Sequence, residues 1–303
     1  MNFTDTLAEM LVLLFAMACG YAAGRLGILG SEANKSISKL LLDVTLPAMI
    51  LGSVSTGEAL PDTPVVLGML GVAAVFYGLE LVFTLAVPPL LGGTPGQKGV
   101  WRFTLFFGNI GFIGYPVAVA FFGPEALFYA VLLVLPFNLM AFTLGPLLLS
   151  GVKRFSLRRM FSPAATAALA ALVLALTRLR PPEAVGRAVE FVGSVTAPLS
   201  LLFVGSLLAG LPLGRMLASP RVWALSAVRL LAMPLALSLA LRALGTEAPA
   251  LSVAVVEMGM PAAMNGSMLC MEHGGDAECM AQTIFVTTLA SIVSIPVVAA
   301  LLL

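Results

Sequence analysis

Long apolar runs follow one another along almost the whole chain, and this pattern constrains the fold more than any other feature. Ten runs are separated by short breaks that contain glycine, proline and charged residues. The runs cover residues 6 to 24, 35 to 55, 65 to 90, 99 to 122, 124 to 149, 163 to 179, 184 to 210, 220 to 242, 248 to 271 and 279 to 302. A helix needs about 20 apolar residues to cross a hydrocarbon core about 30 Å thick. The sequence therefore predicts an all-α polytopic membrane protein with ten transmembrane helices in the lipid bilayer.

The composition agrees with this prediction and argues against other classes of protein. Hydrophobic side chains make up 60% of the 303 residues and charged ones 10%, whereas soluble domains contain about 45–50% apolar and about 25% charged residues. The 16 Lys and Arg residues nearly balance the 15 Asp and Glu residues, so no basic surface for nucleic acid is expected. The sequence contains no HExxH motif and no glycine-rich phosphate loop. We therefore expect neither nucleic-acid binding nor enzymatic activity.

The cations fall unequally on the two sides of the predicted membrane. Eleven lie on one side, namely Arg25, Lys35, Lys39, Lys98, Arg102, Lys153, Arg154, Arg158, Arg159, Arg215 and Arg221, and four lie on the other, namely Arg178, Arg180, Arg187 and Arg242. Cytoplasmic loops are enriched in Lys and Arg. This asymmetry predicts a multi-pass protein of the cell (inner) membrane with both termini outside.

Landmark residues recur in the same order in the two halves of the chain. The pairs are separated by 145 to 151 positions, and they are Pro47 and Pro198, Pro116 and Pro261, Gly123 and Gly274, and Pro146 and Pro296. Each half holds five runs, and because five is odd the second half would enter the membrane from the opposite face. The sequence thus predicts two inverted five-helix repeats, residues 1–150 and 151–303, an arrangement typical of secondary transporters.

Two segments at matching positions are expected to interrupt their helices. Residues 107–116 contain three glycines, one Asn and Pro116, and residues 257–266 contain Pro261 and Asn265. Proline removes a backbone donor, so free amides and carbonyls at membrane depth must be satisfied by protein, water or ligand. Kinks that serve only helix packing are the alternative.

Paired helix breaks of this kind favour a substrate site over simple kinks. The amino ends of half-helices attract anions, and freed carbonyls attract cations. Asn109 and Asn265 are predicted to donate hydrogen bonds to a carboxylate, and glycines beside them would permit close backbone approach. The predicted substrate-binding residues are Asn109, Gly111, Gly114, Pro116, Pro261, Asn265 and Gly266.

The motifs, taken in order, resemble those of the auxin efflux carrier (PIN-like) family, within the bile acid/arsenite/riboflavin transporter superfamily. The resemblance covers the whole chain and rests on Leu46-Pro47, Gly108-Asn109-Ile110-Gly111, Pro116, Phe122-Gly123-Pro124-Glu125-Ala126, Arg229, Met260-Pro261-Ala262-Ala263-Met264-Asn265 and Gly274-Gly275-Asp276. It implies ten helices with broken, crossing helices 4 and 9. It also implies elevator-type movement of small organic anions, either mono- or dicarboxylates such as auxin or malonate, and a possible homodimer.

Two carboxylates lie deep in apolar runs, where charge is costly and marks function. The setting of Glu257 is similar to the acidic segment that binds sodium in bile-acid symporters, so Glu257 is a candidate Na⁺ ligand, and no other cofactor is expected. A proton carrier and a structural partner for Arg229 are the alternatives. Glu80 has a counterpart in the plant branch that is tied to ion coupling, and its alternative role is an interhelical hydrogen bond with a Ser or Thr.

The function predicted from these residues is a secondary active transporter of small organic anions coupled to Na⁺ or H⁺. The alternative is a membrane sensor that uses a transporter fold to bind its ligand. A channel and an intramembrane enzyme with a Glu80 and Glu257 dyad are further classes, but midplane carboxylates beside paired breaks favour alternating access. The residues fix the charge class of the substrate better than its shape, and the direction of transport stays open.

Overall fold

The computed structural model of the protein describes residues 3–55, 63–141, 143–150, 162–179, 181–210, 216–273 and 275–302. These residues form helices and short connections, and the β-structure among them is limited to one isolated bridge. The helices are α1 (Phe3–Arg25), α2 (Ser31–Leu40), α3 (Leu46–Ser55), α4 (Thr63–Leu91), α5 (Pro95–Phe106), α6 (Tyr115–Phe122), α7 (Ala126–Ala141), α8 (Leu144–Ser150), α9 (Pro163–Thr177), α10 (Glu183–Gly193), α11 (Thr196–Ala209), α12 (Pro220–Ala227), α13 (Met233–Ala243), α14 (Ala250–Met258), α15 (Asn265–His273) and α16 (Ala277–Leu302). Three π-helical turns lie between them, Leu41–Thr45, Ile110–Gly114 and Val228–Ala232. The predicted all-α class is confirmed.

Five helical stretches are long and apolar enough to cross a membrane. They are Ser31–Ser55, Thr63–Leu91, Glu183–Ala209, Pro220–Ala243 and Ala277–Leu302, and shorter apolar helices cover Leu11–Arg25, Ile110–Phe122, Ala126–Phe137 and Pro163–Thr177. Their order follows the apolar runs of the sequence. The count of ten spans and their inverted arrangement stay predictions.

Several helices begin at capping residues that satisfy the free amides of the first turn. Thr94 and Gln97 form a reciprocal capping box at the start of α5, with the Gln97 amide donating to the Thr94 hydroxyl at 3.2 Å. Asp276 caps α16 by accepting from the Cys279 amide at 2.9 Å. These caps place the start of each helix close to the start of an apolar run.

Small residues allow two helices from opposite halves of the chain to pack at close range. Helix α1 lies along α11, where a Cβ added at Gly20 would come 2.1 Å from the Leu202 carbonyl oxygen and one at Gly205 would come 1.9 Å from the Met17 carbonyl oxygen. Helix α3 packs against α9 and α10, and a Cβ added at Gly193 of α10 would come 2.6 Å from the Met49 Cα. Close backbone approach at small residues is the usual means of helix association in membranes. The result is an outer group of helices, α1 to α3 and α9 to α11.

The remaining helices, α4 to α8 and α12 to α16, form a second group that contains both interrupted segments. Aromatic rings pack tightly around the first interruption, with centroids 4.9 Å apart for Phe103 and Phe107 and 5.2 Å apart for Phe107 and Phe137. Trp101 and Tyr115 are also fully buried there. This packing holds the interrupted backbone in place.

Two details bear on the predicted spans. The fifth run is divided between α7 and α8, and Phe142 lies outside the described residues. Six of the cations used to orient the chain also lie outside them, namely Lys153, Arg154, Arg158, Arg159, Arg180 and Arg215. The placement of both termini outside therefore stays a prediction.

Candidate functional site

The first predicted interruption lies between α5 and α6. Asn109 caps the π-helical turn, because its side-chain oxygen accepts from the Phe112 amide at 3.2 Å and its carbonyl accepts from the Gly114 amide at 3.0 Å. Pro116 follows in the first turn of α6 and has no N–H to donate to the π-helical turn that precedes it. Ser200 of α11 donates to the Phe112 carbonyl at 2.9 Å and so ties this turn to the outer group of helices.

The second interruption separates α14, which ends at Met258, from α15, which begins at Asn265. The chain between them is not helical, and the amide of Ala262 donates to the Thr287 hydroxyl of α16 at 3.1 Å. Pro261 is buried at the centre of this segment. Both interruptions therefore fall where the glycine and proline pattern predicts them.

The two interrupted segments are joined to each other by main-chain hydrogen bonds. The Asn109 amide donates to the Pro261 carbonyl at 2.7 Å, and the Ala263 amide donates to the Phe107 carbonyl at 3.0 Å. Gly108 and Ala262 form an antiparallel bridge between these two bonds. Backbone groups freed in one half of the chain are thus satisfied by the other half, as burial away from water requires.

Arg229, in the π-helical turn between α12 and α13, lies next to this junction. Its Nη1 is 2.8 Å from Oε1 of Glu80 and 2.9 Å from the Leu105 carbonyl oxygen, and its Nε is 3.1 Å from the Met260 carbonyl oxygen. The side chains of Arg229 and Glu80 are 0% and 1% exposed. One guanidinium therefore contacts the end of α5, the start of the segment after α14 and the carboxylate of Glu80 in α4.

This geometry corrects two of the alternatives considered from the sequence. The partner of Arg229 is Glu80, so the proposed pairing of Glu257 with Arg229 is wrong. The alternative of a Ser or Thr partner for Glu80 is also wrong, because Glu80 Oε1 accepts a hydrogen bond from the Arg229 guanidinium. Arg229 Nη2 and Glu80 Oε2 have no hydrogen-bond partner within the described part of the chain.

Glu257 lies in the last turn of α14 and is fully buried. Neither of its carboxylate oxygens has a hydrogen-bond partner among the residues that the structure describes. A Cβ added at Gly114 would lie 2.0 Å from Oε2, so the carboxylate rests against the backbone of the first interruption. An unpaired carboxylate at this depth is expensive as an anion, and a proton or a bound cation would neutralise it.

The two predicted asparagines each present one buried polar atom without a partner within the described ranges. For Asn109 it is the donor Nδ2, and for Asn265 it is the acceptor Oδ1. A half-turn of the Asn265 amide would exchange its acceptor for its donor. Each interruption therefore has one side-chain amide atom available to a ligand among the described residues. At Asn109 this atom is a donor without any change of rotamer.

The predicted glycines differ in what surrounds them. Nothing lies within 4 Å of a Cβ added at Gly111, whereas the space at Gly114 is taken by Glu257. At Gly266 an added Cβ would lie 2.7 Å from Phe103 and 2.8 Å from Met280. Of these three glycines, only Gly111 has the open room expected for close approach of a ligand.

Sequence reasoning named Arg229 without finding its role as the link between the interruptions. One signal was available, since Glu80 and Arg229 are 149 positions apart, within the 145 to 151 spacing of the repeated landmarks. Gly108 was named as part of a motif, but its role beside Arg229 was not predicted. An added Cβ there would lie 2.0 Å from Arg229 Nη2, so its lack of a side chain makes room for the guanidinium.

The known proteins that this chain resembles are named as transport proteins. The family described as "Membrane transport protein" matches residues 5–155 and 147–299. An uncharacterized transporter of Methanothermobacter thermautotrophicus is 29% identical over 302 residues, covering 98% of this chain and 97% of the relative. A protein of Rhizobium meliloti named as a proposed malonate transporter is 26% identical over 290 residues, covering 91% of this chain and 89% of the relative.

Proposed function

Because this chain belongs to the membrane transport protein family, we propose that it is a secondary transporter of small organic anions coupled to Na⁺ or H⁺. The substrate class is a mono- or dicarboxylate, auxin-like or malonate-like, and the name of the Rhizobium meliloti relative supports a dicarboxylate. The observation that carries the proposal is the junction of the two interruptions. Asn109 Nδ2, an amide donor without a partner among the described residues, belongs to the first interrupted segment, and the carboxylate of Glu257, which also lacks a described partner, rests against Gly114 of that segment.

The anion would bind on the amino side of the interruptions. Free amides at the start of helices attract negative charge, and α15 begins at Asn265 just after the second interruption. Asn109 Nδ2 would donate to the carboxylate, Asn265 would contribute its amide, and Gly111 leaves room for the ligand beside the backbone. Pro116 and Pro261 would hold the backbone open at this point.

The coupling ion would bind at Glu257. In the Na⁺ form of the proposal the carboxylate is a metal ligand, because hard cations prefer oxygen donors. In the proton form the carboxyl group is protonated and deprotonated during the cycle. Both forms depend on the absence of a partner for Glu257 among the described residues, and in both the charge at this site is neutralised reversibly.

Movement would follow an elevator scheme of alternating access. The group that contains the interruptions, α4 to α8 and α12 to α16, would move against the outer group, α1 to α3 and α9 to α11. The bond from Ser200 to the Phe112 carbonyl joins the two groups at the site and would change during this motion. The cell-membrane location, the outside termini and a homodimer complete the proposal.

Asn109→Asp tests the anion site. The aspartate retains the oxygen that accepts from the Phe112 amide but replaces the Nδ2 donor with a negative charge. We expect the variant to fold and to bind organic anions at least about tenfold more weakly, since a buried donor is lost and like charges repel. The measurement is the thermal unfolding midpoint in detergent with a panel of carboxylates, each with Na⁺ or K⁺ at two pH values.

A matched control is Asn34→Asp, at a buried asparagine whose oxygen accepts from the Ser206 hydroxyl at 2.6 Å, away from the interruptions. It should leave anion stabilisation intact. Equal anion stabilisation in Asn109→Asp and wild type would contradict the proposed site. Anion binding without saturable, gradient-driven uptake in proteoliposomes would favour a membrane sensor over a transporter.

A further inference from the structure

The carbonyl ends of the interrupted helices are already occupied by a charge of the protein itself. In an unbroken helix the Leu105 carbonyl would accept from the amide of Asn109, but that amide donates to Pro261 instead. The Met260 carbonyl lies beyond the end of α14. Arg229 donates to both of these carbonyls and to Glu80, at 2.8 to 3.1 Å.

This set of acceptors is the kind that binds an ion. One carboxylate oxygen and two main-chain carbonyl oxygens from separate segments surround one guanidinium, two of them at Nη1 and one at Nε. Oxygen donors of this type coordinate hard cations. The Leu105 carbonyl also belongs to the last turn of α5, where the helix dipole favours positive charge. Without the guanidinium, the same oxygens would surround a buried negative charge.

We propose that Arg229 is a resident cation that fills a cation site formed by Glu80, the Leu105 carbonyl and the Met260 carbonyl. Because Arg229 neutralises Glu80, Glu257 is the carboxylate at the interrupted segments that remains for a mobile cation to bind. Each transport cycle then moves one coupling cation. The statement that the mobile cation drives transport rests on the proposed function. The cation site itself stands on the contacts of Arg229 alone.

The surroundings of Arg229 support occupation of a site over a chance contact. Gly108 faces Nη2, and a side chain there would collide with the guanidinium. Arg229 lies in a π-helical turn, Val228–Ala232. Such turns in helices are frequent at functional sites.

The test removes Arg229 in a variant that already lacks the Glu257 carboxylate. Glu257→Gln, Glu257→Gln with Arg229→Ala, and the triple variant that adds Glu80→Gln are purified in detergent. Their thermal midpoints are measured as NaCl or methylguanidinium chloride replaces choline chloride at constant ionic strength. We expect only the double variant to gain a midpoint that rises with the logarithm of the added cation concentration.

Each result decides the inference. A cation response as large in Glu257→Gln as in the double variant would overturn it, and so would a response that survives Glu80→Gln. If the double variant is not recovered folded in NaCl, KCl or methylguanidinium chloride, the inference is also wrong, because a free cation should restore a true cation site. Glu257→Gln with Arg229→Lys is the conservative control and should fold in choline chloride.

A transport measurement extends the test to the coupling ratio. The Hill coefficient for the driving cation should be about 1 in wild type and should rise toward about 2 in Arg229→Ala. A wild-type value near 2 would contradict the inference. Failure of carboxylates to bind wild type would instead count against the proposed function, while the cation measurements on the Glu257→Gln series would still report on Arg229.

Discussion

Glu80 and Glu257 are the same residue type, equally buried and adjacent to the same junction, yet their surroundings differ completely. Glu80 bonds to Arg229 at 2.8 Å, and Arg229 in turn contacts both interrupted segments. Glu257 has no hydrogen-bond partner within the described chain and rests against Gly114. The comparison teaches that burial alone does not identify a functional carboxylate. In the proposed function the charge that changes is that of Glu257, which lacks a fixed counter-charge among the described residues.

The largest expected contrast is between Glu80→Gln and Glu257→Gln. Glu80→Gln leaves the buried Arg229 without its counter-charge, and breaking a buried ion pair in this way costs about 3–5 kcal/mol. Glu257→Gln removes a charge that has no partner among the described residues, so stability should be unchanged or increased. Thermal unfolding of both variants in detergent measures the contrast. Similar losses in the two variants would show that Glu257 has a structural partner after all.

The glycines of the first interruption give an intermediate contrast. Gly108→Ala would push against Arg229 and Gly114→Ala against Glu257, each at 2.0 Å, whereas Gly111→Ala meets nothing within 4 Å. Overpacking of this kind costs about 1–3 kcal/mol. We expect lower midpoints for Gly108→Ala and Gly114→Ala only. Gly111→Ala should retain the fold and weaken anion binding, which the same carboxylate panel detects, and unweakened binding would remove Gly111 from the site.

The smallest expected contrast is between two neighbouring hydroxyl groups, one with a hydrogen-bond partner in the second interruption and one without a partner among the described residues. Thr287 accepts from the Ala262 amide in the second interruption, while the buried hydroxyl of Thr288 has no partner among the described residues. Thr287→Val would leave that amide unsatisfied and cost about 1–3 kcal/mol. Thr288→Val, its isosteric control, should cost nothing. Equal midpoints for the two variants would mean that the Ala262 amide finds another acceptor.

The positions of both interruptions could be predicted because their causes are local. Glycine and proline in 107–116 and 257–266 disfavour a regular helix, although Pro136 and Pro296 lie inside continuous helices. The bonds that join the segments could not be predicted in the same way, since Asn109 and Pro261 are brought together only by the tertiary fold. Helix boundaries followed the apolar runs closely, and the main differences are the division of the fifth run between α7 and α8 and of the seventh run between α10 and α11.

The roles of individual residues in the site were less accessible from the sequence. Three glycines were expected to admit a ligand, but two of them accommodate side chains of the protein itself, Glu257 at Gly114 and Phe103 with Met280 at Gly266. A sequence shows that a position has no side chain and does not show what fills the space. The separation of 149 positions between Glu80 and Arg229 matches the spacing of the repeated landmarks, but spacing alone does not show that the two side chains meet.

The junction between the interrupted segments also bears on how this protein can diverge during evolution. Its two hydrogen bonds use the amides of Asn109 and Ala263 and the carbonyls of Pro261 and Phe107, all of them main-chain groups. Substitution of the side chains at these positions leaves the bonds chemically intact as long as the backbone path is kept. Selection on substrate preference can therefore change the side chains around the ligand while the junction that positions them is inherited unchanged.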